Sequence, residues 1–265
     1  MTDATWVDAM PQMYDSRLGP ALFAPYAQEL AARAAALRPR RVLEVAAGTG
    51  IVTRALQVAL PDAELLATDL NPPMVAWAAQ HVPEARWEQA DAQDLRYDPS
   101  SFDLVVCSFG VMFFPDRVAA LAQMARVLTP DGAALLSVWD SVDTQPFAAA
   151  LMDSLTAVLP EETPDFVVRT PHGYADPARI AADLEAAGFG NVDIQRVVLS
   201  GRSASARALA EGFCLGTPLR FALEQRGLLA DLTARVAGEM TARLGTGPVD
   251  GDLPAYVVTA RSRPA

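Results

Sequence analysis

The chain has 265 residues, of which 51% are hydrophobic and 20% are charged. This length and composition suit one large globular domain, and no apolar run approaches the roughly 18 residues that a membrane-spanning helix needs. The formal net charge of −11 argues against nucleic acid or anionic membranes as partners, because both are recognised by clusters of Lys and Arg. The N-terminus has no basic segment followed by an apolar one, so we expect no export signal and a cytoplasmic protein.

Strand and helix patterns alternate through the first half of the chain. The region opens with an alanine-rich helix, in which leucines recur at helical spacing, and it ends in an apolar strand before Asp140. Alternation of this kind predicts a mostly parallel sheet with helices on both faces. The predicted helices are 20–37, 51–60, 72–80 and 116–128, and the predicted strands are 42–46, 65–68, 85–89, 102–108 and 133–139.

The second half has a different rhythm, with more helices and only two further strands. We predict strands at 192–199 and 255–261, and helices at 147–159, 178–187, 205–215 and 219–244. The last of these helices has enough apolar positions either to cover a ligand pocket or to form the face of a homodimer. No linker rich in Gly and Ser interrupts the chain, so we expect a single domain.

Three acidic side chains stand at or near the ends of the first three predicted strands: Glu44, Asp69 and Asp91. In an open α/β sheet these ends face the ligand crevice, and a carboxylate after the second strand can accept hydrogen bonds from ribose hydroxyls. Each acid also has a purely structural interpretation: Glu44 could hold its loop, Asp69 could cap a helix, and Asp91 could be a turn acid. Their order along the chain nevertheless predicts a nucleoside site.

Gly48 and Gly50 lie where the first strand turns into a helix, and glycine lets the backbone approach a ligand closely. A nicotinamide dinucleotide would place its pyrophosphate at this turn, where Glu44 would repel it. The third glycine of the dinucleotide fingerprint is also missing, since Ile51, Val52 and Thr53 follow Gly50. The pattern instead suits a ligand that carries a positive amino group here.

These motifs, in their order along the chain, resemble those of class I S-adenosylmethionine-dependent methyltransferases, most closely the small-molecule branch that includes quinone-ring enzymes. The resemblance covers roughly residues 40–140 and rests on Val42-Leu-Glu-Val-Ala-Ala-Gly-Thr-Gly50, Ala67-Thr-Asp69, Gln89-Ala-Asp-Ala92, Phe102-Asp-Leu-Val-Val106 and Arg126-Val-Leu-Thr-Pro-Asp-Gly132.

The resemblance implies an α/β fold, a Rossmann-like three-layer sandwich. Its mostly parallel seven-stranded sheet has an antiparallel terminal strand, and N-terminal and inserted helices cover the site. Within one domain, residues 1–38 would form a helical lid and 40–140 the cofactor-binding core. Residues 141–265 would supply the remaining strands and the helices that cover the substrate.

The resemblance also implies S-adenosylmethionine as cofactor and assigns residues to it by position. Asp69 would bind the ribose, with Leu70 against the adenine and Asp91 and Ala92 at the adenine edge. Ser108 and Phe109 would border the sulfonium and the substrate. The remaining residues expected at the cofactor are Tyr14, Glu44, Ala46, Gly48, Gly50 and Met74, with Ala46 in place of the first glycine of the motif.

Histidine is the side chain best suited to removing a proton from an acceptor near neutral pH. His172, beside Tyr174 in a Pro-rich loop, is the candidate base, and its alternative interpretation is an ordinary surface-loop histidine. The aromatic residues Phe109, Phe113 and Phe114, with Met112, could line an apolar acceptor pocket or belong to the core. We find no metal-ligand spacing and no cysteine framework around Cys107 and Cys214.

Three functions remain possible from these residues. The first is methyl transfer to a small, apolar or aromatic metabolite in natural-product or cofactor biosynthesis. The second is an NAD(P)-dependent oxidoreductase, against which Glu44, Asp91 and the missing glycine argue. The third is a non-catalytic module that binds the cofactor or a partner protein.

Overall fold

The computed structural model describes residues 6–7 and 9–262, which form a seven-stranded sheet surrounded by helices. The strand order is β3-β2-β1-β4-β5-β7-β6, with β7 antiparallel to both of its neighbours. This confirms the predicted α/β fold with an antiparallel terminal strand. The strands are β1 Arg41–Val45, β2 Glu64–Asp69, β3 Arg86–Gln89, β4 Phe102–Ser108, β5 Leu128–Trp139, β6 Phe189–Ser203 and β7 Val249–Ser262.

Helices fill the connections and form a separate group at the N-terminus. A π-helix, Tyr14–Phe23, lies between α1 and α2, and we call this segment the roof. The α-helices are α1 Met10–Met13, α2 Ala24–Leu37, α3 Ile51–Ala59, α4 Pro72–His81, α5 Arg117–Val127, α6 Pro146–Val158, α7 Phe166–Arg169, α8 Pro177–Ala186, α9 Ala206–Gly216, α10 Leu219–Glu224 and α11 Leu229–Leu244. In the part of the chain that the structure describes, no helix combines the length and apolar character needed to cross a bilayer.

The centre of the sheet is β1, which pairs in parallel with β2 on one side and with β4 on the other. Its residues Val42 and Leu43 are fully buried, as expected where helices cover both faces of a parallel sheet. The chain leaves β1 toward β2 and β3 on one side and reaches β4 on the other. A reversal of strand order at this point opens a crevice at the carboxyl ends of the strands.

Several predicted boundaries differ from the structure. β5 begins at Leu128 rather than at 133, because Leu128 already pairs with Phe102. The predicted helix 219–244 is two helices, separated where the Gly227 N–H donates to the Leu223 carbonyl and Leu228 is extended. α11 packs against α6 and α9, which use its buried apolar positions.

The roof is wound as a π-helix, a form found mostly in short pieces at functional sites. Tyr14 and Phe23 are nine positions apart. In a π-helix, with about 4.4 residues per turn, nine positions make about two full turns. In an α-helix, with about 3.6 residues per turn, they make about two and a half turns, which would place the two residues on opposite faces. Tyr14 and Phe23 therefore share a face, and their rings stack with centroids 4.7 Å apart. Pro20, inside this segment, lacks the N–H that an α-helical ladder would require.

Glycines let the roof lie directly on the backbone of its neighbours. A Cβ on Gly216 of α9 would lie 2.7 Å from the Tyr14 nitrogen, and a Cβ on Gly212 would lie 2.6 Å from Leu18. On β6, a Cβ on Gly201 would lie 2.3 Å from the Ala21 carbonyl oxygen. These close approaches set the spacing of the roof from α9 and from β6.

One carboxyl group is buried inside the sheet. Glu44, on β1, accepts a hydrogen bond from the Thr53 hydroxyl at 2.7 Å and is 1% exposed. Burial, and to a smaller extent the nearby Asp69, raises the pKa of Glu44 from its ordinary value of 4.5 to about 8, although the Thr53 hydrogen bond and Arg54 oppose the rise. A carboxyl group with a raised native pKa stabilises the fold below its unfolded pKa, and that contribution is lost as the pH rises through the native value.

Glu44→Gln should therefore raise the free energy of unfolding at about pH 8.5 relative to wild type. The gain should be at least about 1 kcal/mol, the equivalent of one pKa unit, and should shrink toward about pH 4.5. Urea denaturation of both proteins across this range measures it. Glu64→Gln, at the exposed start of β2, is the control, and an effect of Glu44→Gln that does not vary with pH would contradict the assignment.

Candidate active site

A cavity of about 640 Å³ opens at the carboxyl ends of the parallel strands, beneath the roof. Its size falls within the range of small-molecule sites. Polar groups at the ends of β2 and β3 line one half, and aromatic side chains beyond β4 line the other. The predicted residues that line it are Tyr14, Ala46, Gly48, Asp69, Leu70, Met74, Asp91, Ala92, Ser108, Phe109 and His172.

Two predicted residues, Glu44 and Gly50, are not part of this lining. Glu44 lies deeper, within β1, near Asp69. Gly50 faces away from the cavity, since a Cβ built on it would lie 3.0 Å from Val82 and 3.2 Å from Trp87. Its φ of +85° and these neighbours give Gly50 a packing role at the start of α3.

The loop after β1 exposes its backbone to the cavity at Gly48. Gly48 has a φ of +57°, and a Cβ there would find open space within 4 Å. Ala46 also has a positive φ, +54°, although its side chain disfavours that region. The Ala46 side chain leaves no space for a side chain at Gly110, because a Cβ on Gly110 would lie 2.6 Å from the Cβ of Ala46.

The carboxylate of Asp69 connects the first two loops. It accepts hydrogen bonds from the Gly48 N–H at 2.9 Å, the Asn71 N–H at 2.8 Å and the Asn71 side-chain amide at 3.2 Å. Burial raises the pKa of Asp69, and these hydrogen bonds oppose the rise. Asn71 stands at the N-cap position of α4, but its side chain turns to Asp69 instead of capping the helix.

The third loop places Asp91, Ala92 and Gln93 along the same wall. Asp91 accepts the Gln93 N–H at 2.8 Å, which forms a tight turn after β3. The Gln93 side chain in turn accepts the Asp116 N–H at 2.9 Å, so this wall is tied to the start of α5. Leu70, 46% exposed, and the buried Met74 provide apolar surface next to these polar groups.

An aromatic cluster forms the second half of the cavity. The Phe109 ring stacks on Trp139 with centroids 3.7 Å apart and planes 11° apart, and Phe23 packs against both rings. Phe109 has a φ of +51°, an unusual value for a bulky side chain and one that concentrates at functional sites. Beside it, the Ser108 and Ser137 hydroxyls are 3.0 Å apart.

Of the aromatic run after β4, Phe113 and Phe114 also line the cavity, whereas Met112 is buried in the core. The roof adds Tyr14, whose pKa is raised by burial and by nearby Asp69. Trp6 lies edge-on to the Tyr14 ring.

His172 lies on the wall of the aromatic half, in the turn that follows α7. Its Nδ1 lies 2.7 Å from the carbonyl oxygen of Asp140. A carbonyl oxygen only accepts hydrogen bonds, so Nδ1 carries the proton and Nε2 of the neutral ring is the basic nitrogen. Burial lowers the pKa of His172, and Asp140 opposes this effect.

Sequence reasoning missed several residues of the lining. Asn71 and Gln93 follow predicted acids by two positions, and hydrogen bonding to those acids was the signal that could have found them. Trp139, at the end of β5, could have been found by the rule that strand ends face the crevice. Phe147 and Phe213 lie on predicted helices, but the sequence pattern does not show that these helices reach the cavity. Phe166 lies on α7, a short helix that was not predicted.

The residues that the structure describes contain no cluster of His, Cys, Asp and Glu that could hold a metal ion. Cys107 and Cys214 are both buried and are not joined to each other by a disulfide.

Residues 42–132 match a family model described as a methyltransferase domain. Over 172 residues the chain is 35% identical to the demethylmenaquinone methyltransferase of Deinococcus radiodurans, covering 60% of this chain and 71% of that one. It is 28% identical to the nocamycin O-methyltransferase of Saccharothrix syringae, covering 97% of this chain and 98% of that one.

Among solved structures, the YcgJ protein of Bacillus subtilis has the same fold. Its TM-score is 0.57 at 20% identity, with 90% of this chain and 98% of that one covered. These matches give no support to the oxidoreductase alternative. The matched residues include the polar half of the cavity, whereas the roof, Trp139 and His172 lie outside them. The chain belongs to the class I methyltransferases, enzymes that use S-adenosylmethionine as cofactor.

Proposed function

We propose that this enzyme methylates a hydroxyl group of a small, apolar or aromatic acceptor, and that His172 takes the proton of that hydroxyl. One observation carries the proposal. The hydrogen bond from Nδ1 to the Asp140 carbonyl makes Nε2 the basic nitrogen, and His172 lies on the wall of an aromatic cavity.

The polar half of the cavity fits S-adenosylmethionine. The space next to the Gly48 backbone is open to the cavity, and a Cβ at this position would occupy part of it. Glycine therefore lets a ligand approach the backbone closely. Asp69 offers a carboxylate to ribose hydroxyls, while Leu70 and Met74 offer apolar surface to a purine. Glu44 lies behind this half and outside its lining. The residues that we assign to the cofactor are Tyr14, Ala46, Gly48, Asp69, Leu70, Asn71, Met74, Asp91, Ala92, Gln93, Ser108 and Phe109.

The two halves of the cavity differ in charge. Both acids of the lining, Asp69 and Asp91, lie in the half assigned to the cofactor, which carries positive charge on its sulfonium and amino groups. The other half has aromatic walls with His172, Gln145 and Thr217 as polar groups, and α7 adds Arg169. An acceptor with a flat apolar body and one reactive hydroxyl matches this second half.

The cofactor supplies a methyl group that is already activated for transfer. The protein contributes by holding the acceptor in contact with that group and by removing its proton. Phe109, Trp139 and the roof exclude water from this region and restrict how a flat acceptor can lie. Nε2 of His172 is the group placed to accept the proton.

The relatives support a small-molecule acceptor, since one is named for demethylmenaquinone and another for nocamycin. The acidic chain supports the same choice over nucleic acid. The biosynthetic role, the cytoplasmic location, the homodimer and the division into lid, core and substrate-covering segments stay predictions.

Asp69→Ala should weaken binding of S-adenosylhomocysteine and S-adenosylmethionine by about ten- to a hundredfold, because one or two charge-assisted hydrogen bonds of about 1.5–3 kcal/mol would be lost. Calorimetric titration measures the affinity, with NAD and NADP as ligand controls. Asp94→Ala, at an exposed acid in the loop after β3, should bind normally. Unchanged affinity in a folded Asp69→Ala protein would remove Asp69 from the site.

His172→Ala should lower kcat by about 10²- to 10⁴-fold, the usual contribution of a general base, with little change in affinity for S-adenosylhomocysteine. The assay follows S-adenosylhomocysteine formed with a panel of naphthols and hydroxyquinones, each paired with its methyl ether as a blank. His81→Ala, at an exposed histidine on α4, is the matched control. Full turnover in His172→Ala would show that the reaction needs no base at this position.

A further inference from the structure

The carbonyl that holds His172 belongs to a residue that is itself held on several sides. Asp140 follows β5, and its N–H donates to the Pro254 carbonyl at 3.2 Å. One carboxylate oxygen accepts the Ser141 N–H at 2.7 Å, and the other accepts Nε–H of Arg196 at 2.7 Å. The Asp140 side chain is only 8% exposed, so these contacts form in a largely buried place.

The turn that carries His172 is equally constrained. The His172 N–H donates to the Val167 carbonyl at 3.2 Å, and a Cβ on Gly173 would lie 2.0 Å from the Arg169 carbonyl oxygen. Glycine is therefore required directly after His172, and the imidazole has little freedom apart from rotation of its own side chain.

Charged and titratable groups approach this region from several elements. Asp140 is the group whose charge acts on the His172 ring directly. Arg196 of β6 and Tyr256 of β7 both interact with the Asp140 carboxylate. The other groups nearby are Arg169 of α7, which pairs with Asp165 at 3.3 Å, and Asp176 before α8.

We propose that Asp140 and Arg196 are positioning residues for His172. The pair fixes the direction of the Asp140 carbonyl, which selects the ring nitrogen that stays basic, and it sets the charge that faces the imidazole. The role in catalysis rests on the proposed function of His172, whereas the effect on the imidazole can be measured without an acceptor.

The two side chains have opposite effects on the imidazole, and this gives the proposal a signature. The Asp140 carboxylate favours the protonated ring, so Asp140→Asn should lower the pKa of His172. The Arg196 guanidinium partly cancels that carboxylate, so Arg196→Gln should raise the pKa of His172. A purely structural contribution would loosen the loop in both variants and would not produce shifts of opposite sign.

The experiment is a pH titration of the histidine ring signals by two-dimensional NMR of the whole protein. The chain has only two histidines, so His81→Asn assigns the spectrum. His81 is an internal reference, because its Nδ1 also lies 2.7 Å from a backbone carbonyl oxygen, that of Trp77, but at an exposed site. Long-range nitrogen–proton correlations identify the tautomer.

We expect His172 to be the Nδ1–H tautomer in the wild type. Asp140→Asn should move its titration down by on the order of one pH unit, and Arg196→Gln should move it up by about half a unit. Arg196→Lys, which keeps the charge, should return it toward the wild-type position. The His81 ring signals are the reference against which each variant is compared.

Two exposed positions on β6, away from His172 in the β6–β7 strand pair, are matched controls. Arg202→Gln breaks the Arg202–Asp250 pair, which also joins β6 to β7, and Asp193→Asn removes a β6 carboxylate that pairs with Gln195. Neither should move the His172 titration. Movement as large as that in Arg196→Gln would overturn the assignment of this pair.

Shifts in the same direction, no shift, or an Nε2–H tautomer would also overturn the proposal. If Asp140→Asn does not fold, Arg196→Gln with its rescue by Arg196→Lys decides the question alone. These outcomes are independent of methyl transfer: full turnover in His172→Ala would end the proposed base role while the NMR result stood.

Discussion

The site depends on one carboxylate that joins two loops. Asp69 accepts the Gly48 N–H from the loop after β1 and two donors of Asn71 at the start of α4. A buried carboxylate is costly unless donors surround it, and here two of the three donors are backbone N–H groups of the loops that line the cavity. The same group that needs these hydrogen bonds therefore holds the loop after β1 open, with Gly48 toward the cavity. Loss of this carboxylate would therefore disturb both loops at once.

The sheet was the predictable part of the fold, because its signal is local. Apolar runs such as 104–107, each followed by a turn or an acid, mark buried parallel strands that end at one edge. The acids at those ends could be placed near one another from strand order alone. The loop geometry after β1 followed from Gly48, where the backbone needs a positive φ.

The roof and the aromatic half could not be predicted in this way. The roof packs against glycines of α9 and β6 that lie about 180 residues or more further along the chain. The break after Glu224 depends on Gly227, which helical periodicity alone does not reveal. In sequence, His172 was a candidate base with an ordinary surface-loop histidine as the alternative, and only the contact with the carbonyl after β5 shows how its ring is held. These features depend on long-range contacts, for which local patterns carry little information.

A neutral imidazole held by a backbone carbonyl differs from one held by a carboxylate side chain. A carbonyl selects the tautomer without placing a full negative charge in contact with the ring, so the ring keeps a low basicity in its buried site. The Asp140 charge then acts at longer range, and Arg196 offsets it from the surface. Orientation and basicity are thus controlled by different atoms of the same residue.

The close packing of Ala46 against Gly110 makes amino-acid substitutions at these two positions depend on each other. A methyl group can occupy only one of the two positions, because the two Cβ atoms would lie 2.6 Å apart, and Cys107 Sγ crowds the second position at 2.8 Å. Glycine at 46 would remove one of these two obstacles and would also relax a backbone that now has a φ of +54°. A side chain at 110 would therefore become acceptable only after changes at 46 and around 107. The steric cost of a side chain at 110 thus depends on which residues stand at 46 and 107, so the two loops cannot be altered independently.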